Sequence, residues 1–123
     1  MDRRTDAALL AARLLIGALF AGGAAQKALD PAPAMELLTG RGLPGALIWP
    51  ALAFNALAAA ALWSGRGVRP AALALATYCG ATSVFHLVPD DPWQMSIFVK
   101  NWAIAGGLLV LAAHGPGRFA LRG

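Results

Sequence analysis

Four long apolar segments alternate with short polar connections along the chain. Each segment is close to the ~20 residues that a helix needs to cross the hydrocarbon core of a bilayer. None alternates between polar and apolar residues as barrel strands do, and backbone groups in lipid need hydrogen bonds within their own segment. The pattern therefore predicts an all-α integral membrane four-helix bundle in which residues 1–123 form a single domain. The predicted helices cover residues 7–25, 43–63, 71–88 and 96–113.

The connections between these segments are short. Between the first two, Asp30 and Pro31 predict the start of a short interfacial helix, because aspartate caps helix N-termini and proline is favoured at the first helical position. Pairs of small residues four positions apart are typical of close packing between membrane helices. We therefore expect the pairs to lie at helix contacts: Ala18 and Gly22, Ala56 and Ala60, Ala103 and Gly107.

The distribution of Lys and Arg predicts the orientation of the chain. Basic residues are more frequent on the cytoplasmic side of membrane proteins. The side that carries both termini has Arg3, Arg4, Arg66, Arg69, Arg118 and Arg122, whereas the other side has Lys27, Arg41 and Lys100. We therefore expect both termini in the cytoplasm.

Composition narrows the possible functions. The chain is 59% hydrophobic and 13% charged, against ~45–50% and ~25% for soluble domains. Its net charge of +4 comes from scattered residues rather than a basic stripe, which argues against nucleic-acid binding. The single cysteine excludes an intramolecular disulfide and an iron–sulfur cluster held by this chain alone. His86 and His114, the two histidines, are expected at the outer and inner membrane surfaces, separated by the last helix, which spans roughly 27 Å. Neither a self-contained haem nor another metal site is therefore expected.

Polar residues inside a membrane are costly and mark candidate sites. On the first helix, Arg13, Gly17, Phe20, Ala24 and Lys27 recur every three or four residues and share one stripe. One interpretation is that Arg13 and Lys27 extend to the two membrane surfaces. The other is an inward face with a cation near either end.

A second polar line lies on the third predicted helix, where Tyr78, Thr82 and His86 are four residues apart. These residues either form hydrogen bonds between helices or line a small-molecule pocket in which His86 donates a hydrogen bond or transfers a proton. Lys100 and Asn101 lie about one turn inside the outer end of the last helix. Together with Gln26, Lys27 and His86 they predict a polar cluster near the outer leaflet, whereas Asn55 is expected to join two helices.

Several of these motifs resemble those of the DoxX family of small four-helix membrane proteins. The resemblance covers nearly the whole chain and is most specific near its end. The matching motifs are residues 13–20 with Gly23 and Lys27, residues 42–44, residues 98–109 and residues 115–117. Family members often carry a glutamate in the second helix, where this chain has Asn55, and a Ser-Leu-Asp-like ending, where it has residues 119–122.

The resemblance implies a link to quinones and to membrane-bound oxidoreductases. The first hypothesis is a subunit of a bacterial redox system that lies in the inner membrane and binds quinone or docks a catalytic partner. Its ligand-binding candidates are Lys27, His86, Lys100, Asn101, Arg13 and Tyr78. His86 is the candidate proton-transfer residue. The second hypothesis is a non-catalytic accessory, assembly or structural subunit. Both place the chain in a lipid bilayer with membrane or membrane-docked proteins, or further copies of itself, as partners.

Overall fold

Residues 2–120 are described by a computed structural model, so the predicted cytoplasmic Arg122 lies outside the described residues. Every regular element in this range is helical, as predicted. Two short 3-10 helices, Gly45–Leu47 and Ser83–His86, stand before α3 and after α4. The α-helices are α1 (Arg3–Leu29), α2 (Ala32–Thr39), α3 (Ile48–Ser64), α4 (Val68–Thr82) and α5 (Pro92–His114).

Three helical segments are long and apolar enough to cross a membrane: Arg3–Leu29, Gly45–Ser64 and Pro92–His114. The third predicted segment, residues 71–88, differs from the expectation. Its α-helix has 15 residues and rises ~22 Å, less than the ~30 Å of a hydrocarbon core. The hydroxyls of Thr82 and Ser83 donate to the carbonyls of Tyr78 and Gly80 at 2.8 and 2.6 Å, where the chain tightens into the 3-10 helix.

Capping side chains extend two other helices beyond the predicted bounds. The Asp2 carboxylate accepts the Thr5 backbone N–H at 2.8 Å and starts α1 four residues early. This hydrogen bond holds the pKa of Asp2 below its ordinary value. The Asp91 carboxylate accepts the backbone N–H groups of Trp93 and Gln94 and starts α5 at Pro92. The predicted helix after Asp30 is present as α2, but Asp30 makes no capping bond to it.

The helices pack mainly in two pairs, α1 with α3 and α4 with α5, and the pairs meet along α3–α4 and α1–α5. The α1–α3 contact is tight at Gly17, where an added Cβ would lie 2.6 Å from the Trp63 indole ring. The Trp63 indole N–H donates to the Leu14 carbonyl at 3.2 Å. A glycine therefore lets the tryptophan ring lie directly on α1.

The expectation for the small-residue pairs holds at Gly107, where an added Cβ would lie 3.8 Å from Ile16 Cδ1 of α1, and is wrong for the pairs on α1 and α3. Ala18, Gly22, Ala56 and Ala60 are all exposed, and a Cβ added at Gly22 would meet nothing within 4 Å. The helices meet instead at other positions, where buried alanines such as Ala59, Ala72 and Ala105 lie beside fully buried leucines of α3, α4 and α5. These leucines are Leu62, Leu75, Leu108 and Leu111.

Two arginines hold the C-terminal segment against the end of the molecule that carries the N-terminus. Arg69 follows the turn between α3 and α4 and donates to the Ala113 and His114 carbonyls at 2.6 and 3.1 Å. These carbonyls lack partners within α5 because they end the helix. Arg13 donates to the Pro116 and Phe119 carbonyls at 3.1 and 2.6 Å. The N-terminus, the α3–α4 turn and the C-terminal segment therefore share one end, which we call the termini end.

Candidate ligand-binding site

Two cavities lie toward the opposite end, where α1 ends and α2 lies. The larger, of about 310 Å³, is bordered by α2 and the Ser83–His86 helix, and we call it the α2 cavity. The smaller, of about 170 Å³, is bordered by α1, α3, α4 and α5, and we call it the α5 cavity. Lys27, Tyr78 and Thr82 line both cavities. These three side chains therefore form a polar wall between two mostly apolar spaces.

Helix periodicity brings the wall together. Lys27 continues the α1 stripe whose members Arg13, Gly17, Phe20 and Ala24 are buried. Tyr78 and Thr82 are one turn apart on α4, so their side chains lie on the same face. The Tyr78 ring packs against two phenylalanine rings, Phe20 and Phe54, with centroids 6.4 and 5.3 Å away. This aromatic packing fixes the phenol at the boundary of the two cavities.

A hydrogen bond between Lys27 and Asn55 connects the wall to α3. The Lys27 ammonium donates to Asn55 Oδ1 at 3.0 Å. Gly23 lies beside this contact, since a Cβ there would be in van der Waals contact with both atoms, at 3.8 Å from each. Asn55 is 1% exposed, and within the described residues its Nδ2 has no hydrogen-bond partner.

His86 lines the α2 cavity and is oriented by Gln94 at the start of α5. Its Nδ1 lies 2.7 Å from Gln94 Oε1. Because an amide oxygen can only accept, this contact places the proton on Nδ1 and leaves Nε2 as an acceptor. The Asp91 cap holds the backbone of Gln94, so one short connection positions the imidazole.

The polar cluster expected from the sequence is divided between the two cavities. His86 lines the α2 cavity, whereas Lys100 and Asn101 line the α5 cavity. Lys27 and Tyr78 belong to both. Gln26, expected in the cluster, is exposed and lines neither cavity.

Arg13 lies apart from the other candidates. It is 1% exposed and binds carbonyls at the termini end, and it lines neither cavity. Of the two interpretations of the stripe, the inward face describes Arg13, because its guanidinium is buried rather than extended to a membrane surface. The guanidinium contacts backbone carbonyls of the C-terminal segment.

Sequence reasoning missed two parts of the site. Asn55 was expected to join helices, and it also lines the α5 cavity. Gln94 was not among the candidates. The sequence feature that could have indicated it is its position eight residues after His86, just beyond the turn that ends at the capping residue Asp91. Arg41 also reaches this region and donates to the Val84 carbonyl at 2.6 Å, so that the chain after α2 is tied to the 3-10 helix.

The charge of the site is positive. Lys27 and Lys100 are the charged residues among those that line the cavities, and no described residue lining either one is Asp or Glu. Within residues 2–120, no group of three or more His, Cys, Asp or Glu side chains is placed to hold a metal ion. The arrangement offers hydrogen-bond donors to a ligand with oxygen acceptors, enclosed by apolar walls.

Comparison with known proteins identifies the family. No solved structure matches the chain. The inner membrane protein YqjF of Escherichia coli (strain K12) is 28% identical over 122 residues, which cover 98% of this chain and 94% of that protein. The DoxX family model matches residues 8–87, which end before α5 and thus before the segment whose resemblance to the family is most specific. Since this match covers well over half of the sequence, the chain belongs to the DoxX family.

Proposed function

We propose that the protein crosses a bacterial inner membrane four times, with both termini in the cytoplasm. The relative YqjF is named as an inner membrane protein, which supports the location. Together, α4 and the following 3-10 helix run from Val68 to His86, a length close to one crossing. Arg66, Arg69 and Arg118 lie with the N-terminus at the termini end, and the excess of basic residues there supports the orientation.

We further propose that the protein binds a quinone in the α2 cavity, as a membrane subunit of a redox system. One observation carries this proposal: Lys27, Tyr78 and His86 line one apolar cavity of about 310 Å³. Ligand pockets of this kind are mostly apolar, with a few placed polar groups. A quinone has a flat apolar ring with an acceptor oxygen at each side, which suits donors on different walls.

Each residue has a role in this proposal. The Lys27 ammonium and the Tyr78 hydroxyl donate hydrogen bonds to a quinone carbonyl. His86, fixed by Gln94, exchanges a proton with the ligand through Nε2. Oxidation of the bound quinol to the quinone releases two electrons, which pass to a docked redox partner, and two protons, of which His86 Nε2 accepts one and water accepts the other.

The test is quinone affinity in neutral detergent, measured with a short-chain quinone. We expect Tyr78→Phe to weaken binding of the quinone about tenfold, since it removes a hydrogen bond donated to a carbonyl within an apolar cavity. We expect His86→Ala to weaken binding of the corresponding quinol about tenfold, since it removes the Nε2 acceptor of a quinol hydroxyl. His114→Ala is the matched control, because His114 is exposed at the termini end, and it should bind as the unmodified protein does. Equal affinity in all four proteins would contradict the proposal.

The exposed small residues favour a second candidate, a non-catalytic accessory subunit of a larger membrane complex. Ala18, Gly22, Ala56 and Ala60 face away from the chain's own helices, and small residues allow close approach of other membrane helices. Cross-linking in native membranes tests this candidate. Substituting Ala18 or Ala56 by Leu should abolish a stoichiometric cross-linked complex. Ala12→Leu adds the same side chain on the half-buried face of α1 and shows how much of the loss comes from misfolding alone.

A further inference from the structure

We infer that the α5 cavity is a binding site for a phosphate group, with Lys27, Asn55, Lys100 and Asn101 as its donors. The inference concerns a different cavity from the quinone proposal and does not rest on it, although Lys27 lines both cavities and is a donor in both proposals. The shared chemistry is a phosphate oxyanion, which either a lipid headgroup or free phosphate supplies.

The first support is an uncompensated buried donor. Asn55 is 1% exposed and lines the α5 cavity. Its Oδ1 accepts a hydrogen bond from the Lys27 ammonium. Rotating the amide by 180° would place the Nδ2 donor against the ammonium, which is also a donor, so this rotation cannot satisfy Nδ2. Within the described residues Nδ2 has no partner. An unpaired buried donor is unfavourable, and an acceptor oxygen in the cavity satisfies it.

The second support is the charge around the cavity. Lys27 is directed at Asn55, which borders the α5 cavity and not the α2 cavity. Lys100 reaches the same space from α5. The described residues that line it include two lysines and no carboxylate. A ligand with negative charge balances this pair of ammonium groups in a region of low dielectric.

The third support is access from the surface. Lys100 is exposed although it lines the cavity, so its side chain marks an opening. Apolar residues of α1 and α5 border the same cavity, namely Leu19, Ile97 and Ile104. They suit the acyl chains of a lipid whose headgroup sits between the two lysines. The cavity of about 170 Å³ fits a compact group rather than a whole lipid.

The experiment uses the full chain in a neutral maltoside detergent. Dioleoylphosphatidylglycerol is the lipid probe and dioleoylphosphatidylcholine is its comparison, with bound lipid counted by native mass spectrometry. Sodium phosphate is the soluble probe, with the apparent Tm followed at constant ionic strength. We expect the protein to retain the anionic lipid about tenfold more strongly than the zwitterionic one, because only the former keeps a net negative charge.

Two variants and a control make the test specific. Asn55→Asp keeps the side-chain shape and supplies a carboxylate that pairs with Lys27, so it should reduce binding of the anionic probe about tenfold or more. Lys100→Gln alters an exposed side chain, cannot disturb the core, and should weaken binding severalfold. Arg66→Gln removes the same charge at the termini end, where the side chain is exposed, and should leave binding unchanged.

The outcomes separate the sources of the phosphate. Retention of the lipid without a response to sodium phosphate assigns the site to a lipid headgroup, whereas a rise in Tm with sodium phosphate assigns it to the free anion. The inference is overturned if the protein binds neither probe, or if both variants bind as the unmodified protein does. Quinone affinity measured on the same samples reports separately on the α2 cavity.

Discussion

The ammonium of Lys27 and the amide oxygen of Asn55 form a hydrogen bond of 3.0 Å that joins α1 to α3. The bond lies beside both cavities, at the polar wall that Lys27 forms with Tyr78 and Thr82. It therefore couples the packing of two membrane-capable helices to the geometry of the candidate site.

The energetic coupling of this pair is measurable by a double-mutant cycle with Lys27→Met and Asn55→Leu. Hydrogen bonds between membrane helices contribute ~0.6–2 kcal/mol, so we expect a coupling energy in that range in the free energy of unfolding. Reversible unfolding in mixed detergent micelles provides the measurement. Strictly additive effects of the two substitutions would show that the hydrogen bond contributes nothing.

The close contact between Gly17 and Trp63 predicts a strong effect of one methyl group. Gly17→Ala places a Cβ 2.6 Å from the indole ring, and we expect about 1–3 kcal/mol of destabilisation from this overpacking. Gly22→Ala adds the same methyl group on the same helix, where nothing lies within 4 Å. Thermal unfolding should lower Tm for the first variant only, and a similar Tm for both variants would refute the packing argument.

Arg13 is predicted to anchor the C-terminal segment. Arg13→Met removes both hydrogen bonds to the Pro116 and Phe119 carbonyls, so the exposed Arg118 should become more susceptible to trypsin. Arg13→Lys should show an intermediate cleavage rate, because an ammonium lacks the planar fork of donors. Arg4→Gln, on an exposed position of α1, serves as the control. Unchanged cleavage rates in the Arg13 variants would mean that the segment is held by other contacts.

Gln94 is predicted to set the tautomer of His86. In the unmodified protein, ¹⁵N NMR should show His86 protonated at Nδ1, because this nitrogen lies 2.7 Å from an amide oxygen. Gln94→Leu should shift the population toward the Nε2-protonated tautomer and weaken quinol binding, because Nε2 then no longer accepts from a quinol hydroxyl, whereas the His114 signals remain as they were. A His86 spectrum that does not respond to Gln94→Leu would contradict the positioning role.

Much of the fold follows from patterns within the sequence. Membrane-capable helices, their polar stripe and the buried positions of Gly17, Phe20 and Ala24 follow from hydrophobic periodicity. The early end of α4 does not, because it depends on the hydroxyls of Thr82 and Ser83 turning back to local carbonyls. A hydropathy pattern contains no information on such side-chain to backbone hydrogen bonds.

The site was predictable in its members but not in its arrangement. Lys27, Tyr78, His86, Lys100 and Asn101 all line cavities, since polar residues on apolar helices tend to face the interior. Their division between two cavities depends on how the helices are rotated and paired. The contacts of Arg13 depend on residues more than 100 positions away along the chain, which no local pattern reveals.

Photo-cross-linking with a photoreactive short-chain quinone tests the central claim most directly, because it locates the bound ligand by mass spectrometry of the labelled peptides. The quinone proposal predicts label on residues 78–86 and on α2, around Tyr78, His86 and Leu38. This label should disappear with excess unlabelled quinone and decrease in Tyr78→Phe, which removes a donor to the quinone carbonyl. The claim would be contradicted if excess quinone did not displace the label. It would also be contradicted if the displaceable label lay only on peptides at the termini end.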